Sequence, residues 1–179
     1  MRDINLKITP LQVEHISQVV AAFSAIGWHK PASIYEQYLQ EQAQNTRKAW
    51  LAFQDEHFVG YVTLNLESLY FSFKEQNIPE IMDLNVLPTY RQHGVGSYLL
   101  DIAEKWAFDM GYETVGLGVG LHKDYGAAQR LYIKHGYIPD GLGVTYNYVP
   151  TAYDESVKTD DDLVLWLTKS VKINKEEGI

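Results

Sequence analysis

Residues 84–100 read LNVLPTYRQHGVGSYLL, and this stretch decides the fold class of the chain. An apolar segment stops at Pro88, a glycine-rich turn follows, and apolar residues at helical spacing begin at Gly96. The first turn of a helix has N–H groups without an intrahelical partner, and the helix dipole adds partial positive charge there. Glycine lets an anion approach such a backbone closely. Residues 91–97 therefore predict a phosphate-binding turn at a helix N-terminus.

Two well-known nucleotide motifs do not fit this turn. Leu99 stands where the third glycine of G-x-G-x-x-G would be, and no Gly-Lys-Ser/Thr sequence is present. Ser97 could add a hydroxyl donor and Arg91 a charge-assisted contact. The simpler alternative is a glycine-containing turn between a strand and a helix that binds no ligand.

The composition limits the class of protein. The chain has 179 residues, with 15 basic and 23 acidic side chains and no cysteine. This length favours one domain, over residues 1–170, followed by a polar tail at 171–179. The net charge of −8 argues against nucleic-acid and anionic-membrane partners. Without cysteine there is no disulfide, thiolate ligand or cysteine nucleophile.

Other sequence signals concern compartment and metal binding. We expect neither a signal peptide nor a membrane helix, because the start lacks an apolar segment and no apolar run reaches about 18 residues. A cytoplasmic, reducing environment is therefore expected. The six histidines are widely spaced and form no i,i+4 pair, so we expect no metal site.

The residue patterns predict an α+β fold with a mixed sheet and helices on both faces. A first helix is expected from Pro10, capped by Thr9, to Gly27. The aromatic segment 67–79 is interpreted as a long mobile connection whose exposed Tyr70, Phe71 and Phe73 form a lid. The remaining predicted helices are 31–44, 96–110 and 125–135, and the predicted strands are 3–8, 48–53, 57–66, 80–87, 113–119, 137–149 and 163–168.

A second motif lies downstream, in residues 127–141, which read AAQRLYIKHGYIPDG. Together with residues 84–100 it resembles the GNAT acetyltransferase superfamily over about residues 4–169. The pattern Arg/Gln-x-x-Gly-x-Gly/Ala is filled by Arg91, Gly94 and Gly96. The family's second signature is matched by Ala128, Leu131, Tyr132, Gly136 and Tyr137.

The resemblance implies a mostly antiparallel sheet of about seven strands, in which the fourth and fifth strands run parallel and splay apart. Acetyl-CoA is expected in the splay, with its pantetheine arm on the backbone of Leu84, Asn85 and Val86. Its pyrophosphate is expected on the turn formed by Arg91, Gln92, His93, Gly94, Val95, Gly96 and Ser97. One departure from the family is Tyr125, where an asparagine is common.

Acetyl transfer to an amine requires a neutral amine and benefits from a proton donor for the leaving thiolate. By resemblance, Tyr132 is the candidate acid, and the alternative is a tyrosine that only packs on the sheet. Glu80 is the candidate base, with Asp83, His122 and a water chain as alternatives. Strict strand alternation would turn Asp83 away from Glu80 unless a bulge intervenes.

The acceptor is expected to be the amine of a small molecule or a peptide, and a homodimer formed through the final strands is left open. The sequence favours an N-acetyltransferase over two alternatives. One is an acyl-CoA-binding sensor without catalytic activity, and the other is an interaction module with a degenerate site. Fold alone does not separate these classes, because function depends on the site.

Overall fold

Eight strands form one sheet in the computed structural model, which describes residues 5–171. The expected strand residues 3 and 4 and most of the polar tail lie outside that range. The strands are β1 (Leu6–Pro10), β2 (Arg47–Gln54), β3 (His57–Asn65), β4 (Glu80–Val86), β5 (Thr114–Gly120), β6 (Ile138–Tyr146), β7 (Val149–Pro150) and β8 (Leu163–Ser170). The helices are α1 (Ile16–Ala25), α2 (Ala32–Ala43), α3 (Phe71–Glu75), α4 (Val95–Asp109) and α5 (Gly126–Lys134).

The strand order across the sheet is β1-β2-β3-β4-β5-β8-β6-β7, and this confirms the mixed α/β prediction with one more strand than expected. All neighbours are antiparallel except β4 and β5. That parallel pair is short: Glu80 lies opposite Gly116 and Ile81 opposite Leu117. Beyond Ile81 the two strands diverge, and the expected splay is therefore present.

The two faces of the sheet are covered by different helices because successive residues of a strand point to opposite sides. In β2, Trp50 and Ala52 belong to the core beneath α4 and α5, whereas Ala49, Leu51 and Phe53 belong to the core beneath α1 and α2. The predicted placement of helices on both faces is confirmed.

The start of the first helix was predicted wrongly. Thr9 and Pro10 lie in β1, where they pair with Leu51 and Trp50 of β2, so they do not cap a helix. A 3₁₀ turn at Val13–His15 precedes α1 instead. The Thr-Pro pattern suits both a helix start and the end of an edge strand. Proline has no backbone N–H group, and neither position requires one for a hydrogen bond.

The aromatic segment after β3 is a packed element, so the prediction of an exposed lid is wrong for two of its three aromatic residues. Tyr70 and Phe73 are 3% and 0% exposed, and only Phe71 is largely exposed. The ring of Tyr70 stacks on Trp166 at 4.1 Å. Gly116 makes room for Phe73, because a Cβ at that position would lie 2.2 Å from the ring. Lys74 and Glu75 lie on the exposed side of α3.

A buried ion pair joins the last strand to the longest helix. Glu104 of α4 is 5% exposed and accepts a hydrogen bond from the ammonium group of Lys169 in β8. Because a buried carboxylate without a partner is costly, this contact fixes β8 against α4.

We predict that Lys169→Met lowers the free energy of unfolding by about 3 kcal/mol, since it leaves the Glu104 carboxylate buried and unpaired. Urea denaturation at neutral pH measures this loss. The double variant Glu104→Leu/Lys169→Met should recover most of the stability, because it removes both charges. A double variant as unstable as the single one would show that the ion pair is not the cause.

Candidate functional site

A bulge in β4 determines which side chains of this strand lie on the face covered by α1 and α2. The pairing of β3 with β4 shifts register between Tyr61 and Thr63, and Asp83 has a left-handed φ of 53°. The extra residue reverses the alternation, and the Asp83 side chain therefore reaches Tyr38 of α2. Glu80 lies opposite Asn65 on that same face. Both carboxylates therefore lie on the same face, whereas strict alternation would place Asp83 on the opposite face from Glu80.

Gly60 of β3 permits the close approach of the strand beyond the bulge. A Cβ at this position would lie 2.5 Å from the backbone oxygen of Asn85. Any side chain here would therefore displace the part of β4 that contains Leu84, Asn85 and Val86. Leu84 and Val86 are half-buried against the core beneath α4.

Glu80 is buried at the start of the splay, with 4% of its surface exposed. Its Oε2 accepts a hydrogen bond of 2.6 Å from the Ser68 hydroxyl. Burial raises the pKa of Glu80 to about 7, against the smaller lowering effects of Ser68 and of the positive charge of Arg47. A carboxyl group with a pKa in this range exchanges its proton near neutral pH, as a general base must.

The two alternative bases occupy different surroundings. The Asp83 carboxylate accepts a hydrogen bond of 2.6 Å from the Tyr38 hydroxyl, which burial and the Asp83 charge keep protonated by raising the pKa of Tyr38. His122 is half-buried just after β5, and its Nδ1 lies 3.2 Å from an oxygen of Asp124. Of the three candidates, Glu80 alone is deeply buried.

The glycine turn ends at the exposed N-terminus of α4. The first intrahelical hydrogen bond runs from Tyr98 N–H to Gly94 O, so the N–H groups of Val95, Gly96 and Ser97 have no partner within the helix. Gly94 has a φ of 87° and no atom within 4 Å of the place where a Cβ would stand. The open backbone fits a bound phosphate.

Gly96 and Arg91 hold the turn in place by two different contacts. A Cβ on Gly96 would lie 3.3 Å from Leu131, so this glycine allows α5 to pack against the start of α4. Arg91 donates from Nε to the Val86 carbonyl at 3.0 Å, and its guanidinium lies 5.3 Å from the centre of the Trp28 ring. Arg91 therefore braces the turn against β4. Gln92 and His93 are exposed at its tip.

Tyr132 of α5 lies on the opposite face of the sheet from Glu80. It is 8% exposed, and its ring centre is 6.1 Å from that of Tyr137. Burial, with a smaller contribution from Tyr125, raises the pKa of Tyr132 to about 12. The phenol is therefore protonated at neutral pH and able to donate. Tyr125, which departs from the family pattern, donates its hydroxyl to Asp161 at 2.9 Å.

One group of potential metal ligands lies outside the splay in the described part of the chain. Asp101, Glu104 and His135 bring their ligand atoms within 4.8 Å of one another. Glu104, the buried member, is already paired with the Lys169 ammonium group. The buried carboxylate of this cluster therefore already has a cationic partner, Lys169.

Comparison with known proteins identifies the fold family. The model of the acetyltransferase (GNAT) family matches residues 16–137. The chain belongs to the GNAT family of acetyltransferases. No curated protein matches the chain. The GNAT assignment makes it a member of an enzyme family, as the resemblance implied.

Three solved structures show how far the GNAT fold extends over the chain. A GNAT acetyltransferase from Streptococcus pneumoniae is 22% identical, with a TM-score of 0.67, and the match covers 93% of this chain and 100% of that one. The ribosomal-protein-S18-alanine N-acetyltransferase from Escherichia coli is 15% identical, with a TM-score of 0.67 and coverage of 96% and 97%. A chimeric spermidine N-acetyltransferase derived in part from Vibrio cholerae is 13% identical, with a TM-score of 0.67 and coverage of 92% and 95%.

Two side chains at this site gave no signal in the sequence. Ser68 and Tyr148 lie in connecting segments and come near Glu80 only through tertiary packing. Among the described residues, no helix is long and apolar enough to cross a membrane.

The raised pKa of Glu80 predicts a pH-dependent stability. The ordinary pKa of a glutamate is 4.5, and the pKa of Glu80 in the folded protein is about 7. Between these two pH values the carboxyl is ionised in the unfolded chain but still protonated in the folded one. The stabilising effect of the neutral carboxyl is complete below pH 4.5 and is lost as the pH rises through 7. We therefore expect the stability of the wild type relative to Glu80→Gln to fall by about 3 kcal/mol across this range.

Urea denaturation at a series of pH values measures that difference. Glu67→Gln, which changes an exposed carboxyl in the adjoining segment, is the matched control and should give a nearly constant difference. A constant difference for Glu80→Gln as well would contradict the buried, proton-exchanging carboxyl.

Proposed function

We propose that this GNAT protein is an acetyl-CoA-dependent N-acetyltransferase that transfers the acetyl group to a primary amine by direct attack in a ternary complex. The observation that carries the proposal is the arrangement around the splay. A buried carboxyl with a pKa near 7 lies on one face, a protonated buried phenol lies on the other, and an open helix N-terminus stands at the end of β4. Acetyl-CoA supplies the thioester when bound.

The turn and the splayed strand have the groups that such a co-substrate needs. Phosphate oxygens accept hydrogen bonds from backbone N–H groups, and those of Val95, Gly96 and Ser97 point out of α4. This local site suits an anion despite the protein's net charge of −8. The backbone of Leu84 to Val86 has lost β5 as a neighbour, and we infer that it pairs with the amide-bearing arm as an added strand would.

Glu80 is proposed as the base. An alkyl ammonium group has a pKa near about 10.4, so it must lose a proton before it can attack. Above pH 7 the Glu80 carboxylate can accept that proton, directly or through water, while the Ser68 hydroxyl holds its other oxygen. Asp83 lies on the same face and adds negative charge that favours a cationic acceptor.

Tyr132 is proposed as the acid. None of the side-chain hydrogen bonds among the described residues uses the Tyr132 hydroxyl, and we infer that it donates to the leaving sulfur. Its pKa of about 12 keeps the proton in place throughout the usual assay range. The alkaline loss of activity expected from an ordinary phenol near pH 10 therefore moves beyond that range.

Gly94→Glu should abolish the thermal stabilisation that acetyl-CoA gives the wild type, because the new carboxylate fills the phosphate site with a like charge. Thermal denaturation with and without acetyl-CoA measures the shift. Gly111→Glu is the matched control: Gly111 has a φ of 91° and open space at its Cβ position, but it lies at the other end of α4. Undiminished protection of Gly94→Glu would exclude the turn as the pyrophosphate site.

Tyr132→Phe should lower kcat by roughly 100-fold, the usual contribution of a general acid, and should change acetyl-CoA affinity little. The assay is release of free thiol from acetyl-CoA with a panel of amines. Tyr137→Phe makes the same change in the neighbouring ring and should retain near-normal kcat. If kcat of Tyr132→Phe is normal, the tyrosine only packs. If the wild type binds acetyl-CoA but transfers acetyl to none of the amines, the result favours the acyl-CoA sensor instead.

A further inference from the structure

The β6–β7 hairpin places a tyrosine where a tight turn disfavours it. Tyr146 pairs with Val149, leaving Asn147 and Tyr148 as the two central residues of the turn. Their φ angles are 50° and 65°, both left-handed. Such a turn prefers glycine at its second central position, and asparagine is common at the first. Tyr148 therefore strains the backbone, and residues held in strained conformations tend to cluster at functional sites.

The Tyr148 ring extends a row of aromatic residues outward from the core. Its centre lies 5.7 Å from that of Trp166, and 39% of its surface is exposed. Trp166 is buried and stacks on Tyr70, whose backbone N–H donates to Ser68 Oγ. Ser68 in turn donates to Glu80. A short series of contacts thus connects the exposed ring with the proposed base.

Acidic side chains outnumber basic ones around the Tyr148 hydroxyl. Burial raises the pKa of this hydroxyl, and the charges of Glu80, Asp162 and Asp83 raise it further. Arg47 acts in the opposite direction, but its ion pair is with Glu41. Among the ion pairs of the described residues, neither Glu80 nor Asp83 has a lysine or arginine partner.

We propose that Tyr148 determines acceptor specificity by binding a second cationic group of the acceptor, so that the substrate is a small linear diamine or polyamine. The inference rests on the proposed function. One amine would lie at Glu80, and the other, still protonated, would lie against the electron-rich face of Tyr148. The charges of Glu80 and Asp83 act on the Tyr148 hydroxyl, so the three groups lie close enough for one short molecule to contact both ends.

Calorimetric titration of the CoA-bound protein with spermidine and with n-butylamine tests this inference without requiring turnover. The wild type should bind spermidine more tightly than butylamine. Tyr148→Gly should weaken spermidine binding roughly 5- to 30-fold, the effect of losing a cation–π contact, and should leave butylamine binding unchanged. Because glycine suits the turn, the melting temperature should not fall.

Two control variants separate the ring from the hydroxyl and from the backbone. Tyr148→Phe keeps the ring and should bind spermidine nearly as the wild type does. Asn147→Gly relaxes the same turn while keeping Tyr148, and it should also bind normally. The inference is overturned if spermidine does not bind, if Tyr148→Gly binds it normally, or if that variant loses both amines equally. If spermidine binds in a Tyr148-dependent way but is not acetylated, the proposed function fails and the binding site remains.

Discussion

The left-handed residue Asp83 is the constraint on which the site depends. A bulged strand bends and twists more strongly than a regular one, and here the bulge lies two residues beyond Ile81, the last residue that pairs β4 with β5. The same bulge brings Asp83 to the face that holds Glu80. The bulge at Asp83 therefore both opens the sheet and places two carboxylates on one side of the opening.

The groups that we propose for catalysis lie on two different faces of the sheet, beside this opening. The face covered by α1 and α2 holds the carboxylates, whereas the face covered by α4 and α5 holds the phenol and the helix N-terminus. In the proposed mechanism, this separation keeps the proton acceptor Glu80 apart from the proton donor Tyr132. The proposed phosphate site lies on backbone groups of α4, whose local positive potential suits an anion even in an acidic protein.

Much of the fold could be predicted from the sequence because local rules govern its regular elements. The positions of α4 and α5 follow from apolar spacing and from glycines at their ends, and α2 follows from apolar spacing after Pro31. The Gly94–Gly96 turn follows from the need for open backbone at the start of α4. The burial of Tyr70 and Phe73 could not be predicted, because it depends on the missing side chain of Gly116 on a strand distant in sequence. The bulge at Asp83 likewise depends on pairing with β3, which alternation within β4 does not reveal.

The placement of β8 between β5 and β6 has a consequence for how the protein is made. Residues 163–170 supply the neighbour of both strands, although the chain reaches them only after β5 and β6 have been synthesised. During synthesis on the ribosome, one edge of β5 therefore stays unpaired until β8 has emerged. Glu104 likewise has no ion-pair partner until Lys169 has been added to the chain. The part of the sheet that contains β5, β6 and β8 closes last, which leaves an unpaired strand edge open to other nascent chains during synthesis.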